Sequence, residues 1–179
     1  MEVRVYGARG SIPAPGPDTL RYGGNTVCVV LGLSDGTWLI LDAGTGIRRF
    51  GRDLATEGGG DRPMHLLLSH LHYDHVIGLP FFEAMFRPET DLSVWPVRTG
   101  APNPRPPEFF DGVNTPVHHG DLPSTLRYVP EQPEPWAVGP ATVTRLLLNH
   151  PVPIWMLKIL KATMIPSATL KQRLPRLIS

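Results

Sequence analysis

Residues 3–6 alternate apolar and charged or polar side chains (Val3, Arg4, Val5, Tyr6), the period-two pattern of a strand with one face toward a core. Two further strands are expected at 26–31 and 38–41. They are joined by Ser34-Asp35-Gly36, whose Asp-Gly pair readily takes positive φ in a hairpin turn. Residues 7–24 form a long loop rich in Gly and Pro. Residues 47–56 carry the spacing of a helix that stops at Gly58-Gly59-Gly60. Residues 66–69 show no alternation, as in a strand covered on both faces, and 76–85 reads as a helix with His75 near its start. A strand is expected at 92–97 and a proline-rich loop at 99–107. Phe109, Phe110 and residues 126–129 return to the core, and a strand at 142–148 ends at Asn149-His150-Pro151. No internal repeat or heptad pattern is present.

Composition narrows the classes. A chain of 179 residues with 41% hydrophobic content fits one domain or a good-sized piece of a larger one. The formal charge is +1, from 17 basic and 16 acidic residues, so no global field calls for nucleic acid or an anionic membrane. A nucleic-acid module would draw on Arg9, Arg21, Arg48, Arg49 and Arg52. No aromatic stacking pattern accompanies them, and a solvated helix face accounts for the last three. Cys28 is the only cysteine, which excludes an internal disulfide, fits a reducing compartment and marks a small core side chain. The N-terminal apolar run is too short for a signal peptide, and no stretch reaches the roughly twenty apolar residues of a membrane span. A cytoplasmic location is expected by default.

One stretch carries chemistry. His70-Leu71-His72-Tyr73-Asp74-His75 places three imidazoles and a carboxylate within six residues, directly after the apolar run. Residues two apart in an extended segment share a side, so His70 and His72 can grip one ion while Asp74 and His75 turn toward a second. Imidazole with carboxylate suits zinc, with manganese and iron as alternatives. The helical H-E-x-x-H arrangement does not apply, since no Glu follows His70. His65, His118 and His119 read as structural or exposed, although His118 and His119 sit beside Asp121 and can lend a surrogate ligand.

A strand followed by His70-x-His72-x-Asp74-His75 resembles the metallo-β-lactamase superfamily. Gly7-Ala8-Arg9-Gly10-Ser11-Ile12-Pro13, Tyr22-Gly23-Gly24-Asn25-Thr26 and Leu41-Asp42-Ala43-Gly44-Thr45-Gly46 are similar to its ribonuclease Z-like and cyclic phosphodiesterase-like branch. The resemblance covers residues 1 to about 150 and implies an α/β fold, the four-layer αββα sandwich. It implies that His70, His72 and His150 hold a first metal, that Asp74 and His75 begin a second, and that Asp74 also serves catalysis. It leaves Asp42 with two readings: a residue beneath the metal loop that orients a ligand, or a turn-forming Asp.

The resemblance also calls for a later bridging Asp and a final His. The last Asp is Asp121, the last Glu is Glu134 and the last His is His150, so the second half of the sandwich reads as incomplete. Residues 1–150 are therefore expected to form the metallo-β-lactamase-like domain, and 151–179 an aberrant basic tail with Lys158, Lys161, Lys171, Arg173 and Arg176 and no acidic residue. Two readings of that tail stand: a basic amphipathic helix over 154–165, or an abnormal end to the coding frame, which the composition break favours. The implied function is a metal-dependent hydrolase acting on phosphodiester bonds of a small-molecule or nucleotide substrate through a metal-bound hydroxide. The alternative is a truncated metal-binding fragment with little or no catalytic activity.

Overall fold

The computed structural model describes residues 1–97, 109–149 and 155–161. The expected loop at 99–107, His150 and residues 162–179 lie outside them. Six strands form the larger sheet in sequence order: β1 (Glu2–Gly7), β2 (Cys28–Gly32), β3 (Trp38–Leu41), β4 (Met64–Leu67), β5 (Asp91–Trp95) and β6 (Thr125–Tyr128). The first three pair antiparallel as hairpins. From β3 onward the pairings are parallel, an arrangement that tight hairpin turns cannot connect. The helix α1 (Ile47–Glu57) is the first crossover. The smaller sheet, β7 (Trp136–Val138), β8 (Ala141–Leu147) and β9 (Trp155–Lys161), is antiparallel.

Alternation along the strands divides the core into two layers. Trp38 and Ile40 of β3 and Met64 and Leu66 of β4 point to one side, where they meet Ile47, Phe50 and Leu54 of α1 together with Phe82, Met85 and Phe110. Leu39 and Leu67 point to the other, against Trp136, Val138 and Val143 of the smaller sheet. The result is a helix layer, a six-stranded sheet and a three-stranded sheet, an α/β arrangement in which the second half of the sandwich is represented by three strands among the described residues. Phe50 anchors the first layer, stacked 5.8 Å from Phe82 and edge-on to Trp38 at 5.5 Å. Truncating such a ring typically costs about 3–5 kcal/mol.

Three elements depart from the sequence pattern. The helix expected over 76–85 is instead α2 (Tyr73–Val76) followed by single turns at Leu79–Phe81 and Glu83–Phe86. The cause is tertiary: Ala43 N–H donates to His75 O (2.7 Å) and Gly78 N–H to Ala43 O (2.9 Å), so the 42–44 turn takes backbone groups that a continuing helix would use. Pro80 then removes a donor. The helix reading of 154–165 fails at 155–161, which form β9 paired with β8 from Leu147↔Trp155 to Ala141↔Lys161. Trp155, Leu157 and Ile159 face the inter-sheet layer while Met156, Lys158 and Leu160 are exposed, a period of two. β7 escapes the pattern because three residues between Pro135 and Gly139 carry no periodicity.

Candidate metal centre

The chain leaves β4 at Leu67, bends at Ser69 and enters α2 at Tyr73, with His72 extended at φ −64°, ψ 149° just before the helix. Extension puts His70 and His72 on one side, with ring centroids 4.5 Å apart. The turn of α2 then brings His75 back to within 4.0 Å of His70, and Asp74 Oδ2 lies 3.5 Å from His75 Nε2. The four residues singled out from sequence form one cluster. His72 is exposed, His70 and Asp74 are buried, and Ser11, Leu71, His72, Tyr73 and Asp74 line an open pocket of about 400 Å³.

Beneath them sits Asp42, buried at the end of β3 with φ +60°, a left-handed conformation that Asp tolerates better than most residues. Its carboxylate accepts from Ser69 N–H (2.7 Å), from Ser69 Oγ (2.8 Å to Oδ2) and from His75 Nδ1 (2.9 Å). Of the two readings of Asp42, the contacts give both: the residue makes the turn and orients the loop above it. Ser69 Oγ also lies 3.0 Å from His70 Nδ1. A serine hydroxyl has one proton and its best acceptor is the ionised carboxylate, so His70 must donate from Nδ1 and keep its lone pair on Nε2. The same logic gives His75 an Nδ1–H donated to Asp42 and leaves Nε2 facing Asp74.

The electrostatics differ between the two imidazoles. Burial, followed by the neighbouring His75 and His72, holds the His70 pKa down to about 4. His70 is thus a neutral imidazole at pH 7. Burial also works against a charge on His75, but the hydrogen bond to Asp42 and the charges of Asp42 and Asp74 outweigh it and raise its pKa.

Two contributors had no signal in the sequence reading. Ser69 only ends the apolar run in the sequence, yet its hydroxyl links Asp42 to both imidazoles. Ser11, at φ +68° in the 7–24 loop, donates its N–H to Asp74 Oδ2 at 2.8 Å across 63 positions. His118 is spent locally, accepting from Gly120 N–H at 3.2 Å. His65 is structural, with Nδ1 accepting from Trp95 Nε1 at 3.1 Å.

Among the described residues no three His, Cys, Asp or Glu side chains are arranged to hold an ion by themselves. The groups bond one another instead, Asp74 Oδ2 to Ser11 and His75, His75 to Asp42. His150, the third imidazole implied for the first ion, lies outside the described residues. The donor set still suits a zinc-type ion, because imidazoles whose other nitrogen is fixed by a carboxylate or hydroxyl are the usual form of a metal-ligating histidine.

Comparison with known proteins identifies the family and the fold. Residues 21–150 match the family model described as metallo-β-lactamase superfamily. The chain is similar to the metallo-β-lactamase fold protein YhfI from Bacillus subtilis at 22% identity and TM-score 0.57, covering 88% of this chain and 57% of that one. It is similar to a diphosphatase of the PhnP family at 14% identity and TM-score 0.55, covering 88% and 61%. A third solved structure, Zn²⁺-bound PqqB from Methylobacterium extorquens, is 19% identical with TM-score 0.52, covering 88% and 59%. The chain therefore spans about three-fifths of the length of these structures, and at such identities they share its fold. No curated protein matches the chain.

Proposed function

This chain belongs to the metallo-β-lactamase superfamily, and from that premise we propose that it is a metal-dependent hydrolase of phosphodiester bonds. The observation that carries the reading is the Asp42 network, which fixes Nδ1 of His75 directly and Nδ1 of His70 through Ser69, leaving both Nε2 atoms to ligate. In this reading His70, His72 and His150 hold one ion, and Asp74 with His75 begins a site for a second. What supports His150 is the start of β9, where Trp155 N–H donates to Ser69 O at 3.4 Å and returns the chain to the metal loop. Zinc is the favoured ion, with manganese and iron as alternatives. When bound, such an ion supplies Lewis-acid activation of water and neutralises charge on the phosphoryl oxygens.

The chain's own groups have assigned work. Asp74 is the catalytic carboxylate: Ser11 N–H takes Oδ2, so Oδ1 receives a proton from the attacking water. Leu71 and the exposed Tyr73 ring form the apolar wall of the pocket, against which the base or other organic group of a nucleotide or small-molecule diester packs. No helix among the described residues is long and apolar enough to cross a membrane. The cytoplasm is the compartment we assign.

A second reading, an ion-binding chain with little turnover, rests on the ligand inventory, since only Asp74 and His75 are assigned to the second ion and no Asp or His follows His150. Elemental analysis of the purified 179-residue polypeptide, paired with hydrolysis of bis(p-nitrophenyl) phosphate, separates the two. Metal-dependent hydrolysis abolished by His72→Ala supports the hydrolase. Tight binding of one zinc without turnover supports the second reading, and a protein that retains no metal overturns both.

A further inference from the structure

The solvent side of α1 is built against ordinary helix electrostatics. Its first turn contains no acidic residue but carries Arg48 and Arg49, where the positive end of the helix disfavours cations. Arg52 follows one turn after Arg48, a like-charge spacing that repels. Arg52 meets Glu83 at 3.5 Å with both side chains largely exposed. Among the described residues Arg48 and Arg49 pair with no carboxylate.

These three arginines line a pocket of about 290 Å³ together with Asn25, Thr45 and Asp53. The pocket shares no lining residue with the one beside the metal loop. It is not a helix end with open amides, because Arg48 N–H donates to Thr45 O and Arg49 N–H to Gly46 O. The free donors are side chains. Asn25 Oδ1 is taken by Thr45 Oγ1 at 3.2 Å, so its amide NH₂ is the group left for a ligand. Asp53, the one acidic lining residue, already accepts the Tyr6 hydroxyl at 2.8 Å. Three guanidiniums against one carboxylate give the wall an excess of positive charge.

The Arg48 and Arg49 guanidinium forks, with no carboxylate partner among the described residues, match an anion offering several oxygens, and their mutual repulsion is relieved when such an anion sits between them. We propose that this pocket binds a phosphate group, as a site separate from the metal centre. Arg48 and Arg49 are its principal donors, with Arg52 and the Asn25 amide completing the wall.

The test is calorimetric titration of the full chain with inorganic phosphate at low ionic strength. Arg48→Ala/Arg49→Ala should bind about tenfold or more weakly, while a charge-matched control, Arg21→Ala/Arg87→Ala, keeps the wild-type affinity. Equal weakening in both pairs means non-specific attraction and overturns the site, as does unchanged affinity in the first pair. Binding lost in His72→Ala but kept in Arg48→Ala/Arg49→Ala places the phosphate at the metal loop and also overturns it. Should the alanine pair fail to fold, Arg48→Gln/Arg49→Gln keeps the helical stems and carries the same expectation. Adenosine 5′-monophosphate as a second titrant identifies the source: binding at least as tight as phosphate, with the same loss in the double variant, points to a phosphate ester, and weaker binding to free phosphate.

Discussion

Asp42 Oδ2 and His75 Nδ1 lie 2.9 Å apart, although 33 positions separate them in the chain. The contact ties the residue that follows β3 to α2, the helix that follows β4, and β3 and β4 are parallel neighbours in the sheet. Their carboxyl ends are where such sheets place ligands, because the chain there turns away and leaves side chains converging on a crevice. The hydrogen bond fixes the imidazole's tautomer and orientation, and Ser69 extends the same control to His70.

Replacing Asp42 by Asn tests that control. The amide oxygen cannot accept from Ser69 N–H, Ser69 Oγ and His75 together, and the amide NH₂ opposes the donors already present. Zinc affinity, measured by competition with a chelator, should fall about 10–100-fold with the circular dichroism spectrum retained. An unchanged affinity would remove Asp42 from the metal centre.

The floor of the metal loop depends on two backbones in contact. A Cβ at Gly78 would lie 2.0 Å from Gly44 O, and backbone there has nowhere to move without losing the Ala43–Gly78 hydrogen bond. Gly78→Ala should therefore destabilise the protein by about 3 kcal/mol in urea denaturation. Gly60→Ala, with nothing within 4 Å of its Cβ, should be close to neutral.

His65 contributes to the pH dependence, in the same direction as the buried His70. Burial lowers its pKa from 6.5, and its Nδ1 accepts from Trp95 Nε1. The unfolded chain binds a proton there at a pH where the folded chain resists it, so this contribution is fully present above about pH 6.5 and is lost as pH falls below it. Denaturation followed by tryptophan fluorescence should show stability dropping as pH falls below about 6.5. His65→Phe should flatten that slope, and an identical slope in the variant would locate the effect elsewhere.

His150→Ala should lower zinc stoichiometry or affinity, whereas His118→Ala should change neither, because His118 is occupied within its own turn. Elemental analysis after dialysis against a weak chelator distinguishes them. The reverse result would make His118 the surrogate ligand.

The ligand run and most strands were legible in the sequence because their signals are local. Trp38–Leu41 and Ile47–Glu57 follow from hydrophobic period and a glycine stop, and His70, His72, Asp74 and His75 from their density after an apolar strand. What tertiary structure decided lies in contacts with no sequence spacing. Helical pattern at 76–85 yields where Gly78 must meet the Ala43–Gly44 backbone, and apolar density at 155–161 becomes a strand because β8 offers it an unpaired edge. Ser11 reaches Asp74, and Ser69 reaches Asp42, only after β1 to β4 are assembled in one sheet. A short motif can announce ligands, but the groups that orient them come from distant strands, and only the folded sheet brings those together.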